Sequence, residues 1–489
     1  METPKSEQHL LDPQDWPEFR ATAHRMVDDM IDWIQTIREK PAWQKPPASV
    51  QQAINEPLPQ TPKPLDQVYD DFLKLVAPYN KGNIHPRFWG WVEGSSVPAG
   101  VLAEFLASTL NPNLGIGDHS PIYVERRVID WCKSMMGFSE SASGLLVSGA
   151  TTANLTGLAV ARNHAHNQIR QKGLHSLDKP LTLYASVETH SCVQKSIELL
   201  GLGAESLRKI PVDENYRIRL PELRAAIRED RAKGFFPFCI VGNAGTVNTG
   251  SIDPMSELLA IAREEKLWFH IDGAFGAFAY LDPEYRERLY GMTQADSLAF
   301  DLHKWMYMPY EAACILIRDV TAHRNSFHIT PSYLVNHESG IAAGPDPFNH
   351  YGISLSKGFT SLKIWMCLKT YGLQAFAETI RQNIAQARYL AQQIEREPLL
   401  ELMTPVTLNV VCYRYHPKNY PADRLNDLNK NIVMALQDRG IAVPTSTILN
   451  GHYVIRAAIT NHRSRWDDFD ILVKESLKIG AEMAGKETR

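Results

Sequence analysis

One lysine at the end of an apolar stretch has the surroundings that Schiff-base chemistry requires. In residues 297–305, SLAFDLHKW, a mostly apolar run ends in the pair His303 and Lys304, and aromatic and methionine residues follow through Met308. Apolar surroundings disfavour an ammonium group and lower the pKa of a lysine, and a neutral amine can attack a carbonyl to form a Schiff base. A lysine that extends from the edge of a hydrophobic core has the same local pattern, so the interpretation depends on the rest of the chain.

A carboxylate follows a second apolar stretch. Residues 267–272, LWFHID, form a predicted buried strand that ends in Asp272, and small residues follow it. A buried aspartate is costly unless it meets a cation or several hydrogen-bond donors. A protonated pyridine nitrogen is such a partner, and pyridoxal phosphate enzymes pair an acid with it. An aspartate that caps a strand-to-helix turn is the structural alternative.

A turn rich in small and hydroxyl residues offers a place for a phosphate. Residues 144–154, GLLVSGATTAN, run from a short apolar strand into a predicted helix that extends through Arg162. N–H groups at the start of that helix, together with threonine hydroxyls, form a phosphate site, although threonines also cap helices without any ligand. After the next predicted strand, His190 is placed either to stack on a flat ring or to lie on the surface.

Strands and helices alternate between residues 145 and 318. We predict strands at 181–186, 236–243, 267–272, 297–300 and 312–317, and helices at 192–200, 220–233 and 254–265. Continuous apolar strands that alternate with amphipathic helices indicate an α/β fold, with a mostly parallel sheet covered by helices on both faces.

Several polar residues fall at or just beyond the ends of these strands: Ser148, His190, Asn243, Asp272 and Lys304. Ligands bind at the carboxyl ends of the strands in such sheets. The sequence therefore predicts that these residues meet in one site.

Composition excludes several classes of function. The 489 residues carry a net charge of −4, with 44% hydrophobic and 22% charged residues, which is typical of a globular protein and gives no reason to expect nucleic acid or an anionic membrane as a partner. No apolar run reaches the length of a membrane span, and residues 1–14 lack the apolar core of a signal peptide, so we expect a cytoplasmic protein. The six cysteines are scattered without a CxxC pair, so we expect neither a metal site nor a disulfide framework.

The N-terminal segment is predicted to be helical around a proline-rich stretch. An apolar pattern at 16–39 predicts a helix, residues 41–64 are proline-rich and predict no regular helix, and residues 69–77 predict a further helix. The segment is too short to hold a core of its own.

Three motifs carry a family resemblance: HIDGA at 270–274, HKW at 303–305 and FTSLKIW at 359–365. With the phosphate turn and His190 in the same order, the chain resembles the group II pyridoxal-phosphate-dependent amino acid decarboxylases, the family of aromatic-L-amino-acid and glutamate decarboxylases. The resemblance implies a fold-type I enzyme that binds pyridoxal 5'-phosphate and forms an intertwined homodimer. It implies an N-terminal helical arm at 1–84, a large cofactor-binding domain at 85–372 and a small C-terminal α/β domain at 373–489.

The resemblance also assigns roles to individual residues. Lys304 would attach the cofactor, Asp272 would keep its ring nitrogen protonated, and His190 would stack on its ring and orient the substrate. The other cofactor contacts it implies are Ala150, Thr151 and His303 at the phosphate, Thr246 and Ala274 beside the ring, and Ser356 at the phosphate of the partner subunit. Tyr333 would return a proton to the substrate carbon after carbon dioxide leaves. Family members with Phe at that position tend to produce aldehydes, so Tyr333 favours decarboxylation.

The substrate is predicted less directly. Trp91, beside Phe88 and Trp89, favours an aromatic L-amino acid, whereas Glu93 stands where the aromatic-amino-acid enzymes carry an apolar residue. Arg456 matches an arginine near the family's active site, where it would bind a carboxylate or form a structural salt bridge. Decarboxylation of an acidic amino acid, of the glutamate, aspartate or cysteine sulfinate type, and aldehyde synthesis are the alternatives.

The chain departs from the pattern of the aromatic-amino-acid enzymes at two places near the predicted phosphate. Thr151 and Thr152 replace a Ser–Glu pair, and Asp301 replaces an Asn. Because two negative groups repel each other, Asp301 is not expected to contact the phosphate unless His303 is protonated.

Overall fold

The N-terminal segment is mostly helical. The structure, a computed structural model, describes residues 11–329 and 339–487. Helix α1 (Trp16–Gln35) begins after Asp15, whose carboxylate accepts a hydrogen bond from the N–H of Glu18 at 2.8 Å. Helices α2 (Ala48–Ile54) and α3 (Leu65–Asp71) follow. The prediction that residues 41–64 hold no regular helix is wrong, because residues 48–54 contain no proline and Pro47 directly precedes α2.

A seven-stranded sheet forms the centre of the molecule. Its strands are β1 (Ser143–Val147), β2 (Leu181–Ser186), β3 (Leu207–Ile210), β4 (Phe236–Asn243), β5 (Trp268–Asp272), β6 (Ser297–Asp301) and β7 (Ala313–Ile317). They lie in the order β1-β7-β6-β5-β4-β2-β3. Strand β7 is antiparallel to β1 and β6, and the other neighbouring pairs are parallel. The predicted strands agree with the observed ones within one residue at each end.

Helices cover this sheet. They are α4 (Pro98–Leu110), α5 (Ser120–Met135), α6 (Ala150–Ala165), α7 (Ile169–Lys172), α8 (Ser191–Leu199), α9 (Leu220–Ala232), α10 (Met255–Glu265), α11 (Tyr290–Thr293), α12 (Leu302–Trp305), α13 (Val320–Phe327) and α14 (Ser361–Arg396). Helix α6 contacts β4, β5, β6 and β7, and every residue of β5, β6 and β7 is buried. Burial on both faces explains the continuous apolar character of these strands.

A second, antiparallel sheet lies in the C-terminal part. Its strands are β8 (Leu400–Leu402), β9 (Val410–Tyr415), β10 (Thr445–Leu449) and β11 (His452–Ala458), in the order β10-β11-β9-β8. Helices α15 (Leu425–Asp438) and α16 (Trp466–Glu487) pack with them around a separate apolar cluster. Gly372, with φ of 74°, interrupts α14 at the predicted boundary between the second and third parts. The three-part division itself stays a prediction.

Within residues 11–329 and 339–487, no helix combines the length and the apolar character that crossing a bilayer requires.

A buried ion pair holds the segment before α14 against α5. The Nζ of Lys357 lies 2.9 Å from Oε1 of Glu125, whose side chain is fully buried, and Lys357 also donates to the carbonyl of Leu146. Burial raises the pKa of the Glu125 carboxyl above its ordinary value. Removing one member of such a pair leaves a buried polar group without compensation.

We therefore predict that Lys357→Met lowers the free energy of unfolding by about 3–5 kcal/mol, measured by urea denaturation. The double variant Glu125→Gln/Lys357→Met should recover part of this loss, because it leaves no buried charge. Lys233→Met is the matched control, since its partner Glu229 is exposed on the same helix face and an exposed pair contributes about 1 kcal/mol or less. Equal losses at Lys357 and Lys233 would contradict the prediction.

Candidate active site

A cavity of about 400 Å³ lies at the carboxyl ends of the parallel strands. Most of the residues predicted for the site line it: Trp91, Glu93, Ala150, Thr151, His190, Asp272, Ala274, His303 and Lys304. The parallel register explains this convergence, because β5 and β6 run side by side and end in Asp272 and Asp301. The sequence-based prediction that these strand ends meet agrees with the structure.

Lys304 and the start of α6 are joined by one carboxylate. Oδ2 of Asp301 lies 2.9 Å from Nζ of Lys304, and Oδ1 accepts a hydrogen bond from the N–H of Ala150 at 2.6 Å. Helix α6 has no side-chain cap from Gly149, so Asp301 supplies its N-terminal acceptor from a neighbouring strand. A negative group at this position is favoured by the dipole of α6.

The charge on Lys304 differs from the sequence-based expectation. Burial lowers the pKa of the Lys304 ammonium, as predicted from its apolar surroundings, but the Asp301 carboxylate outweighs burial and the net pKa is raised above the ordinary value. The expectation of a lowered pKa is therefore wrong, because the sequence did not show that Asp301 would turn back onto Lys304, three residues further along the chain.

Asp272 is held at the floor of the cavity. Its Oδ1 accepts a hydrogen bond from the N–H of Ala274 at 3.1 Å, and its Oδ2 lies 3.8 Å from Sγ of Cys192. The side chain is 5% exposed. A carboxylate in this place can receive one further donor from the cavity.

Two histidines have defined tautomers at the site. Nδ1 of His190 accepts from the N–H of Cys192 at 3.2 Å, and Nδ1 of His303 accepts from the N–H of Ala312 at 3.1 Å. The neutral rings therefore carry their protons on Nε2. Desolvation by the cavity walls lowers the pKa of His190, and burial lowers the pKa of His303 to about 4, so neither supplies a cation here.

The mouth of the cavity is formed by residues 91–94. Trp91 is half-exposed, the ammonium of Lys81 lies 4.3 Å from the centroid of its ring, and Lys81 is also ion-paired with Glu93. Gly94 approaches the main chain so closely that a Cβ there would lie 1.9 Å from the carbonyl oxygen of His303. Only glycine allows residues 91–94 to lie directly on the segment that carries Lys304.

Two of the predicted site residues, Thr246 and Arg456, do not line the cavity. The hydroxyl of Thr246 accepts from the N–H of Ser251 at 3.1 Å and pairs with Thr249, while its neighbours Gly245 and Val247 line the cavity instead. Thr246 therefore shapes the loop after β4, and its predicted contact with the ring stays a prediction.

Arg456 is buried behind the wall. Its guanidinium donates to the main-chain carbonyls of Trp91 at 2.6 Å, Asn248 at 3.0 Å and Val247. Because main-chain carbonyls accept these donors, Arg456 forms no salt bridge within the described residues. Its predicted contact with a substrate carboxylate stays a prediction. Burial accordingly lowers its pKa to about 10.

The remaining two predicted residues cannot be placed in this cavity. Ser356 is exposed and lines a separate cavity beside Lys357; its predicted contact is with the cofactor of a partner subunit and stays a prediction. Tyr333 lies outside the described residues.

The sequence does not predict three residues that line the cavity. They are Asp301, whose charge argues against a contact with phosphate, and the aromatic residues Phe275 and Tyr310. The Tyr310 ring lies 4.2 Å from that of His303. The aromatic run after Lys304 was a usable signal for Tyr310, whereas nothing in the sequence indicated Phe275.

Comparison with known proteins identifies the family. A family model described as the pyridoxal-dependent decarboxylase conserved domain matches residues 47–416. The chain belongs to this family. It is a carboxy-lyase whose cofactor is pyridoxal 5'-phosphate, as the resemblance implied. The start of α6, the amine of Lys304 and the carboxylate of Asp272 fit the phosphate, aldehyde and ring nitrogen of this cofactor, although Asp301 already accepts from the first N–H of α6.

Individual relatives cover nearly the whole chain. An aromatic-L-amino-acid decarboxylase of Bacillus atrophaeus is 33% identical over 455 residues, 92% of this chain and 93% of the relative. A phenylacetaldehyde synthase of Arabidopsis thaliana is 30% identical over 465 residues, 92% of this chain and 93% of the relative. The structure of Catharanthus roseus tryptophan decarboxylase with L-tryptophan aligns with a TM-score of 0.86 at 26% identity, covering 96% of this chain and 100% of that chain. The predicted fold-type I architecture is confirmed.

Asp301 should weaken binding of the cofactor, because its carboxylate occupies the N–H of Ala150 and repels a phosphate at the start of α6. We predict that Asp301→Asn binds pyridoxal 5'-phosphate about 10-fold more tightly, equivalent to about 1.4 kcal/mol, when the apoenzyme is titrated and tryptophan fluorescence is recorded. It should also lower the pKa of Lys304, so the pH profile for covalent attachment should move to lower pH.

Asp319→Asn is the matched control. Asp319 also accepts from a helix N-terminus, at the N–H of Ala322, but lies outside the cavity lining. The prediction fails if both variants change cofactor affinity equally, or if Asp301→Asn weakens binding.

Proposed function

We propose that the chain decarboxylates an aromatic L-amino acid to the corresponding amine and carbon dioxide. The observation that carries the proposal is the composition of the cavity wall, where Trp91, Phe275 and Tyr310 provide aromatic surface and Val92 and Val247 provide aliphatic surface. Aromatic rings bind well to such walls. The names of the relatives, an aromatic-L-amino-acid decarboxylase and a tryptophan decarboxylase, support the same substrate class.

An acidic substrate is less well supported. Among the lining residues that the structure describes, Lys304 is the one lysine and there is no arginine. Arg456 donates to main-chain carbonyls, and Lys81 is paired with Glu93. A side-chain carboxylate would therefore meet Glu93 without an available cation, which is unfavourable in a partly dehydrated cavity.

The residues of the cavity would have different roles in the reaction. Pyridoxal phosphate supplies an electron sink for the charge left on the α-carbon when carbon dioxide departs. Lys304 would hold the cofactor through its amine until the substrate amine takes its place. Asp272 would accept a hydrogen bond from the protonated ring nitrogen and so keep it protonated, and Ala274 would lie beside the ring.

The other site residues would hold the phosphate of the cofactor and orient the substrate. Ala150 and Thr151 would offer N–H groups to the phosphate, Ala150 in competition with Asp301, and His303 would offer its Nε2–H. His190 would stack on the ring and help to orient the substrate. Trp91 and Glu93 would contact the far end of the substrate. Ser356 is proposed to serve the partner's phosphate, and Tyr333 to return the proton to the α-carbon.

Aldehyde synthesis is the second candidate, because a phenylacetaldehyde synthase is among the relatives. Tyr333 favours decarboxylation over this alternative. The two reactions differ in product. Aldehyde synthesis consumes oxygen and water and releases an aldehyde, carbon dioxide, ammonia and hydrogen peroxide, whereas decarboxylation alone releases the amine and carbon dioxide.

We predict carbon dioxide release with an aromatic amino acid and loss of at least about 1,000-fold in kcat for Lys304→Ala. The measurement is a screen of tryptophan, tyrosine and phenylalanine against glutamate, aspartate and cysteine sulfinate, with amine and aldehyde quantified by chromatography. In the wild type, borohydride should link the cofactor irreversibly to Lys304. Lys233→Ala, a surface lysine, is the control. Turnover of acidic substrates alone, aldehyde as the main product, or an active Lys304→Ala would each contradict the proposal.

We also propose that the protein is a cytoplasmic homodimer. Helix α4 exposes a continuous apolar face formed by Val101, Leu102, Phe105, Leu106 and Leu110, with Phe105 65% and Leu110 67% exposed. Ile353 and Leu355, next to Ser356, are exposed as well, and so are apolar residues on α1 and α3. Patches of this extent mark interaction surfaces, and a second copy of the chain would cover them while bringing Ser356 to the neighbouring cofactor.

We predict that the wild type sediments at twice the chain mass of 55.2 kDa, and that Phe105→Glu/Leu110→Glu shifts it to the monomer, because buried charges oppose association. Analytical ultracentrifugation measures the change, and cofactor affinity should fall with it. Ile448→Glu is the control, because Ile448 is similarly exposed but lies on β10. A monomeric wild type would refute the dimer without affecting the proposed reaction.

A further inference from the structure

A chain of buried polar groups leads from Asp272 into the protein interior. Oδ2 of Asp272 lies 3.8 Å from Sγ of Cys192, and this sulfur accepts a hydrogen bond from Nδ2 of Asn154 at 3.4 Å. Oδ1 of the same asparagine lies 2.7 Å from Nε2 of His270. Asn154 and His270 are completely buried, and Cys192 is 3% exposed.

The chain continues on the far side of His270. Its Nδ1 lies 2.7 Å from the hydroxyl oxygen of Ser297, which accepts a hydrogen bond from the indole N–H of Trp268 at 2.7 Å. Trp268 is the first residue of β5 and lines a second cavity. Because Asp272 is the last residue of β5, the polar chain runs from the amino end of this strand to its carboxyl end.

Each link has a fixed direction. The Oδ1 of Asn154 can only accept a hydrogen bond, so Nε2 of His270 is protonated and is the donor. Burial lowers the pKa of His270 to about 3, so the ring is neutral, its Nδ1 accepts, and the Ser297 hydroxyl is the donor to it. The indole N–H of Trp268 can only donate, which matches the remaining acceptor capacity of Ser297.

The direction extends to the active site. With its oxygen engaged by His270, Asn154 turns its NH₂ group to Cys192. The thiol then has its own hydrogen free to donate to Oδ2 of Asp272. Burial, followed by the nearby Asp272 charge, raises the pKa of the Cys192 thiol, so Cys192 keeps the hydrogen that it donates.

The interior is shaped around this chain. Gly157 on α6 faces the imidazole, and a Cβ at that position would lie 2.7 Å from Cε1 of His270. A residue of any other type would displace the ring from Asn154. Polar groups in such a setting are costly unless every one is partnered, and here each has its partner.

We propose that Cys192 is a positioning residue, the last donor of an ordered chain from Trp268 through Ser297, His270 and Asn154, and that it fixes the Asp272 carboxylate toward the ring nitrogen of the cofactor. The inference rests on the proposed role of Asp272 and adds to it. Oδ1 is held by the N–H of Ala274 and Oδ2 by the thiol, so the carboxylate has one orientation, with a remaining lone pair directed to the cavity.

The test measures the cofactor without turnover. Apoenzyme is titrated with pyridoxal 5'-phosphate to give a dissociation constant, and the ¹⁵N resonance of a labelled pyridine nitrogen reports its protonation. Cys192→Ala should raise the dissociation constant about 3- to 10-fold, as expected for the loss of one hydrogen bond of ordinary strength, and should move the resonance toward the unprotonated form. Cys192→Ser, which retains a donor, should restore both.

Two further variants separate positioning from packing. Cys239→Ala is the matched control, because Cys239 is also buried, on the neighbouring strand β4, but donates to the carbonyl of Ile240. Asn154→Leu should weaken binding in the same direction as Cys192→Ala, and the double variant should lose no more than the larger single effect, because both interrupt one chain.

The possible outcomes are distinct. The inference is overturned if Cys192→Ala matches Cys239→Ala in both readouts, or if Cys192→Ser behaves like Cys192→Ala. Asp272→Asn separates the two levels of the argument. If it changes neither readout, the proposed role of Asp272 is wrong; if it changes both while Cys192→Ala changes neither, only the inference about Cys192 is wrong.

Discussion

Two buried carboxylates at the ends of adjacent parallel strands determine the arrangement of this site. Asp272 ends β5 and Asp301 ends β6, and both are almost fully buried. Buried carboxylates require donors, and each is supplied from a different part of the chain. Asp301 accepts a hydrogen bond from the start of α6 and pairs with the ammonium of Lys304. Asp272 accepts from an N–H in the turn after β5 and from the thiol of Cys192 on α8. The need to partner these charges thus brings the start of α6, Lys304 and Asp272 together.

The same constraint sets the charge on Lys304. Asp301 favours the ammonium form of Lys304 and also accepts a hydrogen bond from the N–H of Ala150. Arrival of an anion at the start of α6 therefore competes with Asp301 directly, and displacing this carboxylate weakens its hold on the lysine proton. The two contacts of Asp301 therefore link the proton on Lys304 to the N–H of Ala150 through one side chain.

Much of this was predictable because the relevant signals are local. Apolar strands of five to eight residues, each followed by a small or polar residue, locate β2, β4 and β5 and place Asp272 and Lys304 at one edge of the sheet. What the sequence did not indicate depends on contacts between distant segments. Arg456 follows an ordinary strand pattern and gave no sign that main-chain carbonyls would take its donors. The raised pKa of Lys304 depends on a side-chain orientation at Asp301, and α2 depends on a short proline-free interval.

Arg456, on the small C-terminal sheet, holds parts of the cavity wall in place. Trp91 has φ of 49°, a left-handed conformation that is unfavourable for a residue with a side chain. Its N–H donates to Thr445 and its carbonyl accepts from Arg456, so strands β10 and β11 of the small sheet hold it in place. The same guanidinium binds the carbonyl of Val247 on the other side of the cavity. A neutral residue at position 456 would remove the hydrogen bonds to the carbonyls of both Trp91 and Val247. The position of the Trp91 ring in the cavity wall therefore depends on a buried cation that does not itself line the cavity.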